Sequence, residues 1–180
     1  MYSHDPLEPT ALPPLVPLAL AGDIVAEELP PSTKRMETQT AKKAVLVLVA
    51  KNEGFHEPTR AERDALLVGF AMHRKVLYGA AFDIIKLSRP VDLTDPAAIS
   101  ANMDAITIYE IKSTNRTKMG PDFKGYFFNL TTAELLVAQS LGTQFRFALV
   151  NVLTEDYADL GLNEMLGKAK AIYPAWHIKF

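Results

Sequence analysis

Cysteine is absent from this 180-residue sequence. Its absence excludes disulfide frameworks, thiolate metal sites and cysteine nucleophiles, and it is consistent with a reducing compartment. With 180 residues and 48% hydrophobic composition, the chain is long enough to bury a core without such cross-links. We therefore expect an ordinary globular protein.

Long apolar runs and an early positive charge are also missing. No stretch approaches the roughly eighteen uninterrupted apolar residues of a membrane-spanning helix. The first basic residue is Lys34, so the apolar residues 15–21 lack the positive flank of a secretory signal. We expect a cytoplasmic protein without a membrane partner. Glycine patterns typical of dinucleotide or P-loop sites are absent as well.

Basic residues are missing from residues 1–33, which instead hold seven of the twelve prolines and five acidic residues. Because proline fixes φ and removes a backbone donor, we interpret this segment as an extended acidic arm and residues 34–180 as a single domain. The net charge of -2 hides an asymmetry, since residues 1–33 carry -5 and residues 34–90 carry +5. A nucleic-acid partner is therefore compatible with this near-neutral chain.

Hydrophobic periodicity predicts an α/β domain with a central mixed β-sheet flanked by helices. The apolar run at residues 40–51 fits a buried strand by its valines or a buried helix by its alanine and lysine flanks, and we favour the helix. Thr131 and Glu134 have the spacing of a capping box, and Gly142 ends that helix. An insertion at residues 90–103 has no regular period. The other predicted elements are helices at 58–79, 131–140 and 157–171 and strands at 82–87, 104–114, 145–153 and 172–179.

The predicted strand at 104–114 carries two charged residues near its end, Glu110 and Lys112. Alternate side chains of a strand share a face, so these two lie side by side with α-carbons ~7 Å apart. An acid and an amine on an apolar face are costly unless a metal or an anion completes the pair. Asp83 approaches Glu110 if the two strands pair in antiparallel fashion, and both carboxylates then suit Mg²⁺. Asp104 is too distant, at ~20 Å along the strand.

An aspartate on one strand, Glu-x-Lys on the next, and then a helix and another strand form an arrangement that resembles the PD-(D/E)xK nuclease superfamily. The resemblance spans residues 57–153 and implies a restriction-endonuclease-like core. From Thr131 to Val152 the chain looks particularly like the branch that contains the NO VEIN-type C-terminal domain. One departure is Phe82, which stands where the superfamily usually has proline before the aspartate.

The resemblance also implies roles for individual residues. Asp83 and Glu110 would ligate Mg²⁺, or Mn²⁺ as a substitute, together with the backbone carbonyl of Ile111. Lys112 would position or activate the attacking water. Glu62, on the preceding helix, matches the place of an accessory acidic residue and ranks below the others.

The implied function is a Mg²⁺-dependent endonuclease that hydrolyses DNA phosphodiester bonds in restriction, defence or repair, with RNA still open as a substrate and a homodimer compatible with cutting both strands. After the motif, Arg116, Lys118 and Lys124 suit phosphate contacts, or else belong to a solvated hairpin loop. The alternative is a catalytically silent nuclease-like domain that binds nucleic acid or a protein partner. A third interpretation makes Glu110 and Lys112 a surface ion pair on an unrelated α/β domain.

Overall fold

The computed structural model describes residues 31–173, with side chains from Gln39 onward. The predicted acidic arm up to residue 30 and the predicted last strand beyond residue 173 lie outside the described residues. Within this range five strands form, namely β1 (Phe55–His56), β2 (Ile84–Leu87), β3 (Ile106–Thr114), β4 (Phe145–Asn151) and β5 (Tyr157–Gly161). Five α-helices accompany them, namely α1 (Pro31–Ala50), α2 (Arg60–Met72), α3 (Pro96–Ala101), α4 (Thr132–Leu141) and α5 (Leu162–Lys168).

The strands form one mixed sheet in the order β1-β2-β3-β4-β5. Three neighbouring pairs are antiparallel, whereas β3 and β4 run parallel. A parallel pair needs a long crossover, which here consists of residues 115–131 and α4. The expected α/β class and mixed sheet flanked by helices are confirmed.

Helices cover both faces of the sheet, because neighbouring side chains on a strand point to opposite sides. One face packs against α2 and α4 in a core that includes Phe70, Ile85, Ile106, Ile108, Val137, Leu141, Phe145 and Phe147. The other face packs against α1 in a core that includes Leu48, Phe55, Tyr109, Ile111, Ala148 and Val150. On β3, Glu110 and Lys112 alternate with the residues that face α1, so they lie on the α4 side.

The apolar run at residues 40–51 is helical, as favoured, and forms the second half of α1. Ala44, Val47 and Leu48 are buried against the sheet, whereas Leu46 is 66% exposed. Tertiary burial of one stripe therefore outweighs the β propensity of the valines. Within the described range, no helix combines the length and apolarity needed to cross a membrane.

Two element predictions are wrong in extent or type, and the predicted insertion contains a helix. The helix predicted to 79 ends at Met72, where His73 caps it and Arg74 turns the chain with a φ of 57°. Residues 157–161 are a strand rather than the start of a helix, because pairing with β4 fills an otherwise open sheet edge. The insertion at 90–103 contains α3, whose start has an Asp95 cap and proline at the first position.

Candidate active site

The antiparallel pairing of β2 with β3 brings Asp83 to Glu110. Ile84 lies opposite Tyr109, so the preceding position on β2 falls beside the following position on β3. The Asp83 N–H donates to the Tyr109 carbonyl at 2.9 Å, which continues the ladder by one residue. The two carboxyl groups are close enough for the charge of Asp83 to raise the pKa of Glu110. The predicted proximity of the two carboxyl groups is confirmed.

The main chain of Ile111 faces the same site. Its N–H donates to Asp83 Oδ2 at 2.8 Å, so this edge of β3 points toward the end of β2. The N–H and C=O groups of one strand residue point to the same side. The carbonyl of Ile111 therefore faces Asp83 as well.

Lys112 lies between two carboxylates on the α4 side of the sheet. Its Nζ donates to Glu110 Oε1 at 2.9 Å and to Glu134 Oε2 at 2.8 Å. The side chains of Lys112, Glu110 and Glu134 are only 11%, 10% and 7% exposed. The interpretation of Glu110 and Lys112 as a surface ion pair is therefore wrong.

Burial of the cluster shifts its pKa values. Burial and then the charge of Asp83 raise the pKa of Glu110 to about 8, against the opposing effect of Lys112. Burial also raises the pKa of Asp83, although the Ile111 N–H acts in the other direction. For Lys112, burial lowers the pKa, but the charge of Glu110 and the hydrogen bond to Glu134 outweigh it and raise the pKa overall. Lys112 is therefore an ammonium at neutral pH.

Arg63 on α2 holds the start of β2 in place. Its guanidinium donates to the carbonyls of Gly79, Phe82 and Asp83 at 2.8–3.0 Å. It also lies over the Phe82 ring, 4.2 Å from the centroid. Phe82 thus helps to orient the arginine that fixes the backbone of Asp83. The sequence pattern places Arg63 on the charged face of a helix and gives no signal for these backbone contacts.

Glu62 has a different set of contacts. It is the third residue of α2, and its Oε2 accepts the Thr59 N–H at 2.7 Å and contacts His56 Nε2 at 3.1 Å. Among the described residues, no hydrogen bond or ion pair joins Glu62 to Asp83 or Glu110. Its accessory role stays a prediction.

Sequence reasoning missed Glu134 as a member of the cluster. It was recognised only as part of the capping box, which is confirmed: Thr131 Oγ1 accepts the Glu134 N–H, and Glu134 Oε2 accepts the Thr131 N–H. The contact with Lys112 spans 22 positions of sequence. A glutamate that faces the sheet at the start of the crossover helix was the only available signal.

The donor atoms suit a hard divalent cation. Two carboxylates and one main-chain carbonyl are oxygen ligands of the kind that Mg²⁺ accepts, with water completing its coordination. A cation would also offset the proximity of two buried carboxyl groups, which raises the pKa of Glu110. Within the described part of the chain, no three histidine, aspartate or glutamate side chains are arranged to hold an ion by themselves. A cation held here would take the carbonyl of Ile111 as a third donor.

The segment between β3 and α4 is a crossover rather than a hairpin loop, and buried side chains anchor it. Met119 and Phe123 are buried against Leu149 of β4. The Tyr126 hydroxyl donates to the Ser113 carbonyl at 2.5 Å. The segment therefore has a fixed course from one side of the site to the other.

Three cations lie on the surface of this crossover segment. Arg116, Lys118 and Lys124 are exposed. None of them forms an ion pair with another residue in the described range. By contrast, Arg89 pairs with Asp104, the carboxylate that is too distant to share a cation with Glu110, at 2.7 Å. Unpaired cations beside a carboxylate site are available for an anionic partner.

No family model matches the chain, and no curated protein or solved structure matches it. We therefore infer the function of this chain from the geometry of the site.

Proposed function

We propose that this chain is a divalent-cation-dependent nuclease with a restriction-endonuclease-like core that hydrolyses DNA phosphodiester bonds. The observation that carries the proposal is the convergence of Asp83, Glu110 and Lys112, from two paired strands, on one buried spot. Adjacent carboxylates that suit a cation, next to a protonated lysine, match the needs of phosphoryl transfer. The biological setting we propose is restriction, defence or repair, with a homodimer cutting both strands.

Each residue has a chemical task in this proposal. Asp83, Glu110 and the carbonyl of Ile111 would hold Mg²⁺, which when bound supplies polarisation of a phosphoryl oxygen and a more acidic water. The Lys112 ammonium adds positive charge where negative charge develops on the phosphate, and it orients the water through its N–H donors. Arg63 keeps the backbone of Asp83 in position.

The crossover segment supplies a surface for the DNA backbone. Arg116, Lys118 and Lys124 are exposed between the end of β3 and the start of α4, and both ends of that segment adjoin the site. Phosphate contacts from such residues position a nucleic acid without selecting a sequence. Phe127, 66% exposed on the same segment, offers an aromatic face to an unpaired base.

The test is incubation of the purified full chain with supercoiled plasmid, single-stranded DNA and RNA, in Mg²⁺, in Mn²⁺ and in EDTA. We expect DNA cleavage only with a divalent cation. Asp83→Asn, Glu110→Gln and Lys112→Met should each lower the cleavage rate by about 100-fold or more. The matched control is Asp104→Asn, since Asp104 is an exposed carboxylate just before β3. Cleavage in EDTA, or undiminished cleavage by the three site variants, would overturn the proposal.

A silent domain that binds nucleic acid or a protein partner without cutting is the second candidate. The observation that favours it is the contact of Lys112 with Glu110, because the ammonium occupies the carboxylate that a cation would use. Under this function the plasmid stays intact with both cations, while fluorescence anisotropy detects DNA binding that weakens with added salt.

A further inference from the structure

The buried carboxylate of Glu134 takes part in the capping box of α4 and in the ion pair with Lys112. The residue is 5% exposed and is the third residue of α4. A single oxygen, Oε2, accepts the Thr131 N–H at 3.0 Å and the Lys112 ammonium at 2.8 Å. The backbone end of the helix therefore fixes the oxygen that Lys112 contacts.

The two carboxylate partners of Lys112 are not equivalent. Glu110 faces Asp83 as well as Lys112, so it belongs to the donor set that suits a cation. Glu134 lies on α4 instead of β3, and the capping box fixes its carboxylate oxygen. Glu134 is not part of the donor set for the cation. A lysine with four rotatable bonds needs such a fixed partner to keep its ammonium in one place.

We infer that Glu134 is a positioning residue that holds the Lys112 ammonium beside Asp83 and Glu110 in the orientation required for phosphodiester hydrolysis. The inference rests on the proposed nuclease function for its kinetic consequence. The contact itself is independent of that function, because it follows from the capping box and from the position of α4 on the sheet.

The central variant is Glu134→Gln. The amide oxygen of glutamine still accepts the Thr131 N–H, whereas the charge that attracts Lys112 is removed. The matched control is Glu164→Gln, because Glu164 is also the third residue of a helix, accepts the Gly161 N–H at 2.6 Å and contacts Arg146 at 3.3 Å. Thr131→Ala removes the other half of the α4 box and leaves both contacts of Oε2 in place.

The kinetic readout separates turnover from binding. Plasmid cleavage in Mg²⁺ should show kcat lowered by about 100-fold in Glu134→Gln, since misplacing a reacting group by an ångström has effects of this size. KM for DNA should stay within about twofold, because Glu134 is buried and does not itself reach the DNA. Glu164→Gln and Thr131→Ala should keep the wild-type kcat. A kcat loss in Thr131→Ala equal to that in Glu134→Gln would assign the effect to the cap and overturn the inference.

A second readout does not need activity. The folded chain without metal is treated with an amine-acylating succinimidyl ester, and modification of Lys112 is measured by peptide mass spectrometry against the exposed Lys118. Lys112 should be protected in the wild type and acylated several-fold faster in Glu134→Gln, with no change in Glu164→Gln. Unchanged protection in Glu134→Gln would overturn the inference whatever the kinetics show.

The two readouts also separate the failures. If the wild type cuts no nucleic acid, the proposed function fails, and the acylation rates alone decide whether Glu134 holds Lys112. If circular dichroism shows that Glu134→Gln does not fold, Glu134→Asp replaces it, since this variant keeps the charge and withdraws it by one methylene. Wild-type protection of Lys112 in Glu134→Asp would then refute the positioning role.

Discussion

Two helices of this protein begin with the same four-residue capping box, and the two boxes have different surroundings. At α2, Thr59 and Glu62 form a capping box, and at α4, Thr131 and Glu134 form another. In both, the hydroxyl accepts the glutamate N–H at 3.2–3.3 Å and the carboxylate accepts the threonine N–H at 2.7–3.0 Å. As local helix starts, the two boxes are equivalent.

The difference lies in what else the glutamates contact. Glu62 contacts His56 near the surface, and its side chain is 17% exposed. Glu134 contacts Lys112 in the buried cluster at the end of the sheet. A motif of four residues thus determines the helix start, while the tertiary contact determines whether its glutamate also serves a site. The predictions below test this contrast.

The largest expected difference is in stability. Glu134→Ala should lower the free energy of unfolding by about 3 kcal/mol, because it takes a carboxylate partner away from the buried Lys112 ammonium. Glu62→Ala should cost about 1 kcal/mol or less, since its contact with His56 is partly solvated. Urea unfolding of the two variants in EDTA at neutral pH measures both values. Equal losses would mean that Lys112 gains nothing from Glu134.

The next contrast is in the direction of the pH dependence. In the protein without cation, the pKa of Glu110 is about 8 against an ordinary 4.5, so the folded state keeps a proton that the unfolded chain releases. Stability should therefore fall as pH rises from about 5 to 8, by up to about 1.4 kcal/mol per pH unit. For Glu62, burial acts upward, but the Thr59 and His56 contacts outweigh it and lower the pKa. The contacts of ionised Glu62 therefore add to the free energy of unfolding above about pH 4.5, and this gain is lost as pH falls below that value.

Urea unfolding across this pH range checks both signs. Glu110→Gln should flatten the decline between about pH 5 and 8, and Glu62→Gln should change only the loss of stability below about pH 4.5. If the free energy of unfolding of Glu110→Gln and of the wild type changes in parallel above pH 5, the burial of Glu110 beside Asp83 does not raise its pKa.

The sequence was sufficient for the parts of the fold that repeat a local pattern. The alternation of Ile106, Ile108 and their neighbours predicts β3, and the spacing of Thr131 and Glu134 predicts α4. The adjacency of Asp83 and Glu110 was also predictable, because strands that follow each other in sequence usually pair, even across an insertion. The cation-binding and catalytic roles of Asp83 and Glu110 stay predictions.

Other features depend on contacts that no local pattern contains. β1 has two residues, and β5 includes an aspartate and ends in glycine, so both form only because a neighbouring edge accepts them. The contact of Glu134 with Lys112 requires the crossover to place α4 over β3. The guanidinium of Arg63 likewise reaches the start of β2 through packing of α2 on the sheet.

The smallest expected effects come from the threonines, and they test whether the boxes are equivalent as caps. Thr131→Ala and Thr59→Ala should each lower the free energy of unfolding by about 1 kcal/mol, because each removes a single hydroxyl contact to the third N–H of its helix. Urea unfolding of the two variants should agree within about 0.5 kcal/mol, since the contacts are independent of each other. A loss in Thr131→Ala as large as that in Glu134→Ala would show that the helix start, rather than the contact with Lys112, makes the α4 box special.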